Sequence, residues 1–278
     1  MTKKKEPETA ETNPADEGEA TKPALTILRQ EIAVGAEQLE RPGSGLLLSA
    51  VSAGLDIGFG PLMVCTILAL NPVESTASRV AMAVAYAIGF VIVILGRSEL
   101  FTEHTTLAVL PLLSGETTIS RVARLWGLVY AGNLLGALGF ALLAVPLGRG
   151  LGLFTTADIT LLNQHLLGYG NGVIFVSAIA AGWMMGLVSW LVTAARDTMG
   201  QILIILLVAG SISFLHLHHS IAGSVEVLMG VVAGQVDLPG FGRFLLLATL
   251  GNAVGGIVLV AGLKFSHVTK PGPEAKPA

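Results

Sequence analysis

Apolar residues dominate the chain in six long runs, at 45–70, 80–112, 122–148, 167–194, 199–233 and 241–265. A helix that crosses a bilayer needs about 20 predominantly apolar residues, and every run is long enough. The second and fifth are too long for one crossing and are interrupted, at GRSELFTEH (96–104) and HLHHS (216–220). Each predicts two half-helices joined by non-helical backbone, which a bilayer tolerates only where protein buries it or a watery cavity satisfies it. The predicted fold class is an all-α integral membrane protein of six transmembrane helices, with the second and fifth broken.

Ahead of these runs, Leu25, Leu28, Ile32 and Leu39 recur at helical spacing opposite Arg29, Glu31 and Glu40. Residues 24–42 thus predict an amphipathic helix, lying either on the membrane surface or on the protein's own cytoplasmic face. Residues 1–23, rich in Lys, Glu, Thr and Pro, read as a disordered cytoplasmic tail with no cleavable signal pattern. Residues 43–268 hold the six spans, and 269–278 form a C-terminal cytoplasmic tail.

Composition agrees with the pattern. The 278 residues are 53% hydrophobic and 13% charged, against about 25% charged in soluble domains. Cys65 is the one cysteine, which excludes an intrachain disulfide. The net charge of −3 sums a polar tail and a nearly charge-free body, so nucleic acid is not an expected partner and the lipid bilayer is. Lys and Arg cluster on the side of both termini, while the opposite loops hold only Arg79, Arg149 and Arg243. That bias predicts a multi-pass protein of the inner or plasma membrane with both termini in the cytoplasm.

The halves also resemble each other. YAGNLLGAL in the third run returns as TLGNAVGGI in the sixth, Gly132 against Gly251, an offset of 119. The same offset carries Thr102, in the first break, to Ile221, beside the second. Three spans per repeat require the repeats to cross in opposite directions. Broken helices at matching places in inverted repeats point to a central permeation site.

A half-helix starting mid-membrane aims free N–H groups and a positive dipole end at that site. Thr102 and Ser220 are N-cap residue types at the two expected starts, and two such ends favour an anion between them. His219 precedes the second start. An unperturbed imidazole titrates at about pH 6.5, so this side chain is the candidate proton-exchanging group. Asn133 and Asn252 are expected to hydrogen-bond the broken segments. Arg97, Glu99 and Glu103 are expected to pair with one another, and Asp56 either to line the lumen or to bond a neighbouring helix. Glu226 is expected near the outer mouth. His216 and His219, three apart, lack further ligands, so no metal and no cofactor is expected. No nucleophile–base pair supports an enzyme.

ELFT (99–102) and HHSIAG (218–223), with GNLLGAL and GNAVGGI, resemble the signatures of the formate/nitrite transporter family. The resemblance spans about residues 30–267 and implies an aquaporin-like protomer of inverted repeats, assembled as a homopentamer, with one pore per protomer. It implies passage of a small monovalent anion, such as formate or nitrite, or of its conjugate acid. It makes Thr102 and His219 the facing pair at the pore centre and Leu100 and Phe101 the constriction, with Glu99, His218, Ser220, Asn133 and Asn252 near or supporting them. Three departures stand out. His218 occupies a position where the family usually carries Glu, Gly223 replaces Asn, and no Lys lies between 23 and 263. The competing readings are an aquaporin-like pore for small neutral solutes and a non-transporting scaffold or sensor on the same fold.

Overall fold

The computed structural model describes residues 21–71, 73 and 75–270, so the predicted tails lie largely outside the described residues. Those described are helical, with no strand among them. In order they are α1 (Ala24–Glu40), α2 (Gly43–Asp56), α3 (Phe59–Leu70), α4 (Thr76–Leu95), α5 (Phe101–Leu107), α6 (Leu110–Leu113) and α7 (Ile119–Gly150). Then follow α8 (Thr156–Leu167), α9 (Asn171–Ala194), α10 (Thr198–Phe214), α11 (Ser220–Val232), α12 (Leu238–Val254), a π-helical stretch (Gly255–Gly262) and α13 (Leu263–Thr269). Five stretches are long and apolar enough to cross a membrane: Gly43–Leu70, Thr76–Leu95, Ile119–Gly150, Asn171–Ala194 and Leu238–Thr269. The fifth apolar run is instead divided between the shorter α10 and α11.

Polar caps mark the helix starts. Ser75 and Thr155 form capping boxes with Ser78 and Asp158, and Asp197 and Asp237 each accept an N–H three residues on, at 2.8 Å. Each bond satisfies an orphan donor of the first turn. Helix α8 was not expected from the hydropathy pattern. It sits in the link between the third and fourth runs, and the fourth helix accordingly begins at Asn171 rather than 167.

The breaks differ from two half-helices laid end to end. Arg79, in the first turn of α4, lies over the Phe214 ring at the end of α10. Five residues later the His219 ring meets Phe90, eleven residues further along α4, at a centroid distance of 5.1 Å. At 1.5 Å per residue that is a return of about 16 Å. Leu215–His219 therefore runs back along α4 before α11 begins. The same turn opens both breaks. Arg97 and His216, 119 apart, adopt the left-handed conformation (φ 58° and 52°). The following N–H reaches back across the helix end, Ser98 to the Val93 carbonyl and Leu217 to the Ile212 carbonyl, as in a Schellman motif.

Close helix pairing holds the frame. A Cβ on Gly132 would sit 2.6 Å from the Ala50 Cβ, and one on Gly251 would sit 2.5 Å from that of Ala178. These glycines, which could equally have served contacts between subunits, bring α7 against α2 and α12 against α9. Helix α1 packs on the protein itself: Ile27 and Leu28 join Val109, Leu110, Trp190 and Ala261 in a buried cluster.

Candidate functional site

Helices α5 and α11 begin at the same depth and are held by one repeated device. Asn133 Oδ1 accepts the Phe101 N–H at 2.8 Å, and its Nδ2 donates to the Ala50 and Glu99 carbonyls, both at 2.8 Å. Asn252 Oδ1 accepts the Ser220 N–H at 2.8 Å, and its Nδ2 donates to the carbonyls of Ala178 (2.8 Å) and His218 (2.9 Å). Phe101 and Ser220, like Glu99 and His218, stand 119 apart. Each amide spends its acceptor and both donor hydrogens on backbone that the break leaves unpaired. Asn133 and Asn252 thus do what the sequence assigned to them.

The N-cap positions are Leu100 and His219, one residue before the helices, rather than Thr102 and Ser220. A positioned polar side chain caps only α11, where His219 Nδ1 accepts the Ala222 N–H at 3.1 Å. That bond leaves the hydrogen of the neutral ring on Nε2, which lies 2.9 Å from Thr102 Oγ1. With Nδ1 facing an N–H, His219 can bind a second proton only by leaving its cap. Thr102 is completely buried and His219 nearly so. Ser220 Oγ, beside them, is buried without a hydrogen-bond partner.

Two cavities lie near the breaks, one reaching His219 and the other reaching Glu103 and His104, the residues that follow Thr102. The one on the α8 side, about 40 Å³, ends on His219 and is also lined by Tyr86, Arg79, His165, His216 and Glu226. The one on the α1 side, about 130 Å³, is lined by Glu31, Arg97, Glu99, Glu103 and His104, among others. Leu100 and Phe101 line neither cavity; the Phe101 ring packs on Tyr130 (4.8 Å between centroids) and Trp126 (6.0 Å).

The remaining polar residues find partners that spacing could not reveal. Glu99 pairs with Arg41 and His104, not with Arg97 or Glu103. Asp56 accepts from Ser52 in its own helix at 3.0 Å. His218 is fully engaged: Nδ1 accepts from Ser177 Oγ at 2.8 Å and Nε2 donates to the Leu166 carbonyl at 2.9 Å. His216 meets His165 ring against ring, tilted at 59° with centroids 4.8 Å apart, and the described residues contain no group of three side chains able to hold a metal. Glu31, predicted on the polar face of α1, is instead buried and accepts hydrogen bonds from Ser189 Oγ (3.0 Å) and Thr193 Oγ1. Burial raises its carboxyl to about 6, partly offset by those hydroxyls.

Apolar helices around two breaks, with a buried polar pair where the breaks meet, fit a membrane channel or transporter. The formate/nitrite transporter family model matches residues 26–266, and the chain belongs to that family. It is 31% identical to the inner membrane protein YfdC of Escherichia coli, over 84% of this chain and 75% of that one. It is 26% identical to the nitrite transporter NirC of Salmonella typhimurium, over 84% and 87%. Among solved structures it matches an FNT family ion channel at TM-score 0.79 and 23% identity, covering 88% of this chain and 99% of that one. A pentameric formate channel with formate bound matches at TM-score 0.70 and 22% identity, over 82% and 98%. The fold is therefore that of these channels, and the chain is a multi-pass membrane protein.

Proposed function

We propose that each protomer forms a pore for a small monovalent anion, or its conjugate acid, of the formate and nitrite class, and that the protomers assemble as a pentamer. The observation that carries this reading is the buried contact between Thr102 Oγ1 and His219 Nε2 at 2.9 Å, with one cavity ending on His219 and a second ending on Glu103 and His104, next to Thr102 in α5. An anion at this point would accept from His219 Nε2–H and the Thr102 hydroxyl, at the N-terminus of α11 with its partial positive charge. Leu100 and Phe101 supply the apolar constriction on the α1 side. Proton exchange at His219 is coupled to movement, because the ring must release the Ala222 N–H before Nδ1 can be protonated. The two repeats cross the membrane in opposite directions, with both termini and the α1-side cavity cytoplasmic.

Support beyond the geometry comes from relatives named as nitrite transporters and from a neighbour that binds formate. Uptake by proteoliposomes tests the reading: formate, nitrite or hydrosulfide should enter faster than glycerol or urea. Faster entry of the neutral solutes would favour an aquaporin-like pore, and leak-level entry of all of them a protein without flux.

A further inference from the structure

His104 contrasts with His219 in the way its two ring nitrogens are used. Its Nε2 bonds Glu99 Oε2, while Arg41 holds Glu99 Oε1 from the junction of α1 and α2. With the carboxylate taking the Nε2 hydrogen, Nδ1 carries the lone pair. That atom is buried and has no hydrogen-bond partner, although 98% of the residue lies inside the protein. An orphaned buried acceptor is uncommon and calls for an explanation. His219 cannot be protonated at Nδ1 without losing its cap; His104 can be protonated at Nδ1 without moving. A carboxylate behind one imidazole nitrogen also orients the ring and stabilises the imidazolium formed at the other.

We propose that His104, positioned by Glu99 and Arg41, is a second proton-exchanging group of the pore and serves the α1-side cavity. The inference rests on the pore reading above. A conjugate acid arriving from the centre transfers its O–H proton to Nδ1; the O–H bond breaks, an N–H bond forms, and the acid's bonding pair stays with the anion. The imidazolium then faces Glu99. The departing anion leaves through the cavity that Glu31 from α1 and Glu103 from α5 line. Release of the Nδ1 proton to water restores the lone pair, and the same steps reversed protonate an entering anion.

The charged groups around the ring are few. Glu31 comes from α1, Arg41 from the α1–α2 junction, Arg97 and Glu99 from the break, and Glu103 from α5 itself. Helix α9 and the π-helical stretch contain no charged residue, and α7 contributes the Trp126 indole N–H to the His104 carbonyl at 3.0 Å. The matching positions of the other break do not repeat this arrangement: the residue 119 beyond His104 is Gly223, and Glu99 corresponds to the fully bonded His218.

The test is nitrite and formate flux in right-side-out and inverted membrane vesicles from cells producing the full chain, with pH varied on one face at a time. In the wild type the rate should change several-fold with α1-face pH between about pH 6 and pH 8. His104→Gln should flatten that dependence to within about twofold while keeping the response to pH on the opposite face. Glu99→Gln leaves an acceptor for Nε2–H but removes the charge, and should move the α1-face response to lower pH. It also provides the reading if His104→Gln does not assemble. A wild-type α1-face profile in the assembled variants would overturn the proposal. A wild-type protein carrying no flux would instead contradict the pore reading itself.

Discussion

Thr102 and His219, 117 positions apart in the chain, meet at 2.9 Å because two helices start at one depth from two separate breaks. Each start is pinned by an asparagine from another helix, and the imidazole caps the helix it begins. Removing the hydroxyl while keeping the shape isolates this contact. Thr102→Val should lower anion flux about tenfold, the scale of one lost hydrogen bond of about 1 kcal/mol or slightly more, while the oligomer stays intact. Initial uptake rates together with size-exclusion profiles check it; wild-type rates would remove Thr102 from the permeation path.

Asn133 and Asn252 should matter equally for stability. Each makes three buried hydrogen bonds to break backbone. Replacing either by Leu strands those groups at about 1 kcal/mol or more apiece. Both variants should lose about 3 kcal/mol or fail to assemble. A fluorescence-monitored thermal shift in detergent measures this, and a large asymmetry between the two would argue against the repeated design.

The histidine standing where the family usually has Glu acts as a clamp. His218 accepts from Ser177 and donates to the Leu166 carbonyl, tying α9 and the end of α8 to the second break. His218→Gln retains an acceptor and a donor and should be nearly neutral. His218→Glu sets a carboxylate against a carbonyl oxygen and should cost about 2 kcal/mol. The same thermal assay ranks the two, and a Glu variant as stable as the Gln variant would refute the clamp.

Glu31 predicts how α1 docking depends on pH. Its folded carboxyl is raised from 4.5 to about 6, so the docked state holds the proton more tightly than the undocked one. Stability from this group is present in full below about pH 4.5 and falls as pH rises through about 6, by about 2 kcal/mol in all. Hydrogen exchange of the α1 amides should accelerate across that window, and Glu31→Gln should remove the acceleration. Exchange that slows as pH rises, after correction for its intrinsic rate, would contradict the sign.

The apolar helices, the two breaks and the paired asparagines that hold them were legible because polar residues inside apolar runs and recurring Gly–Asn pairs are local signals. The direction of the chain after each break was not. Hydropathy reads a helix cut in two and a full helix followed by a returning segment alike, and Arg97 and His216 give no glycine signal for their left-handed turns. Helix α8 was hidden in a short polar link, although its Thr155–Asp158 capping box lay in the sequence. His104 stands in the ELFTEH stretch at the first break, but Arg41, which holds its partner Glu99, comes from 58 residues before that carboxylate. Such a constellation exists only in space.

The most direct test of the central claim is stopped-flow uptake of formate, nitrite and hydrosulfide into proteoliposomes from about pH 5 to pH 8, comparing wild type with His219→Asn. The pore reading predicts anion flux that varies with pH in the wild type and falls to the level of empty liposomes in the variant, with the oligomer retained. Equal, pH-dependent flux in both proteins would contradict it.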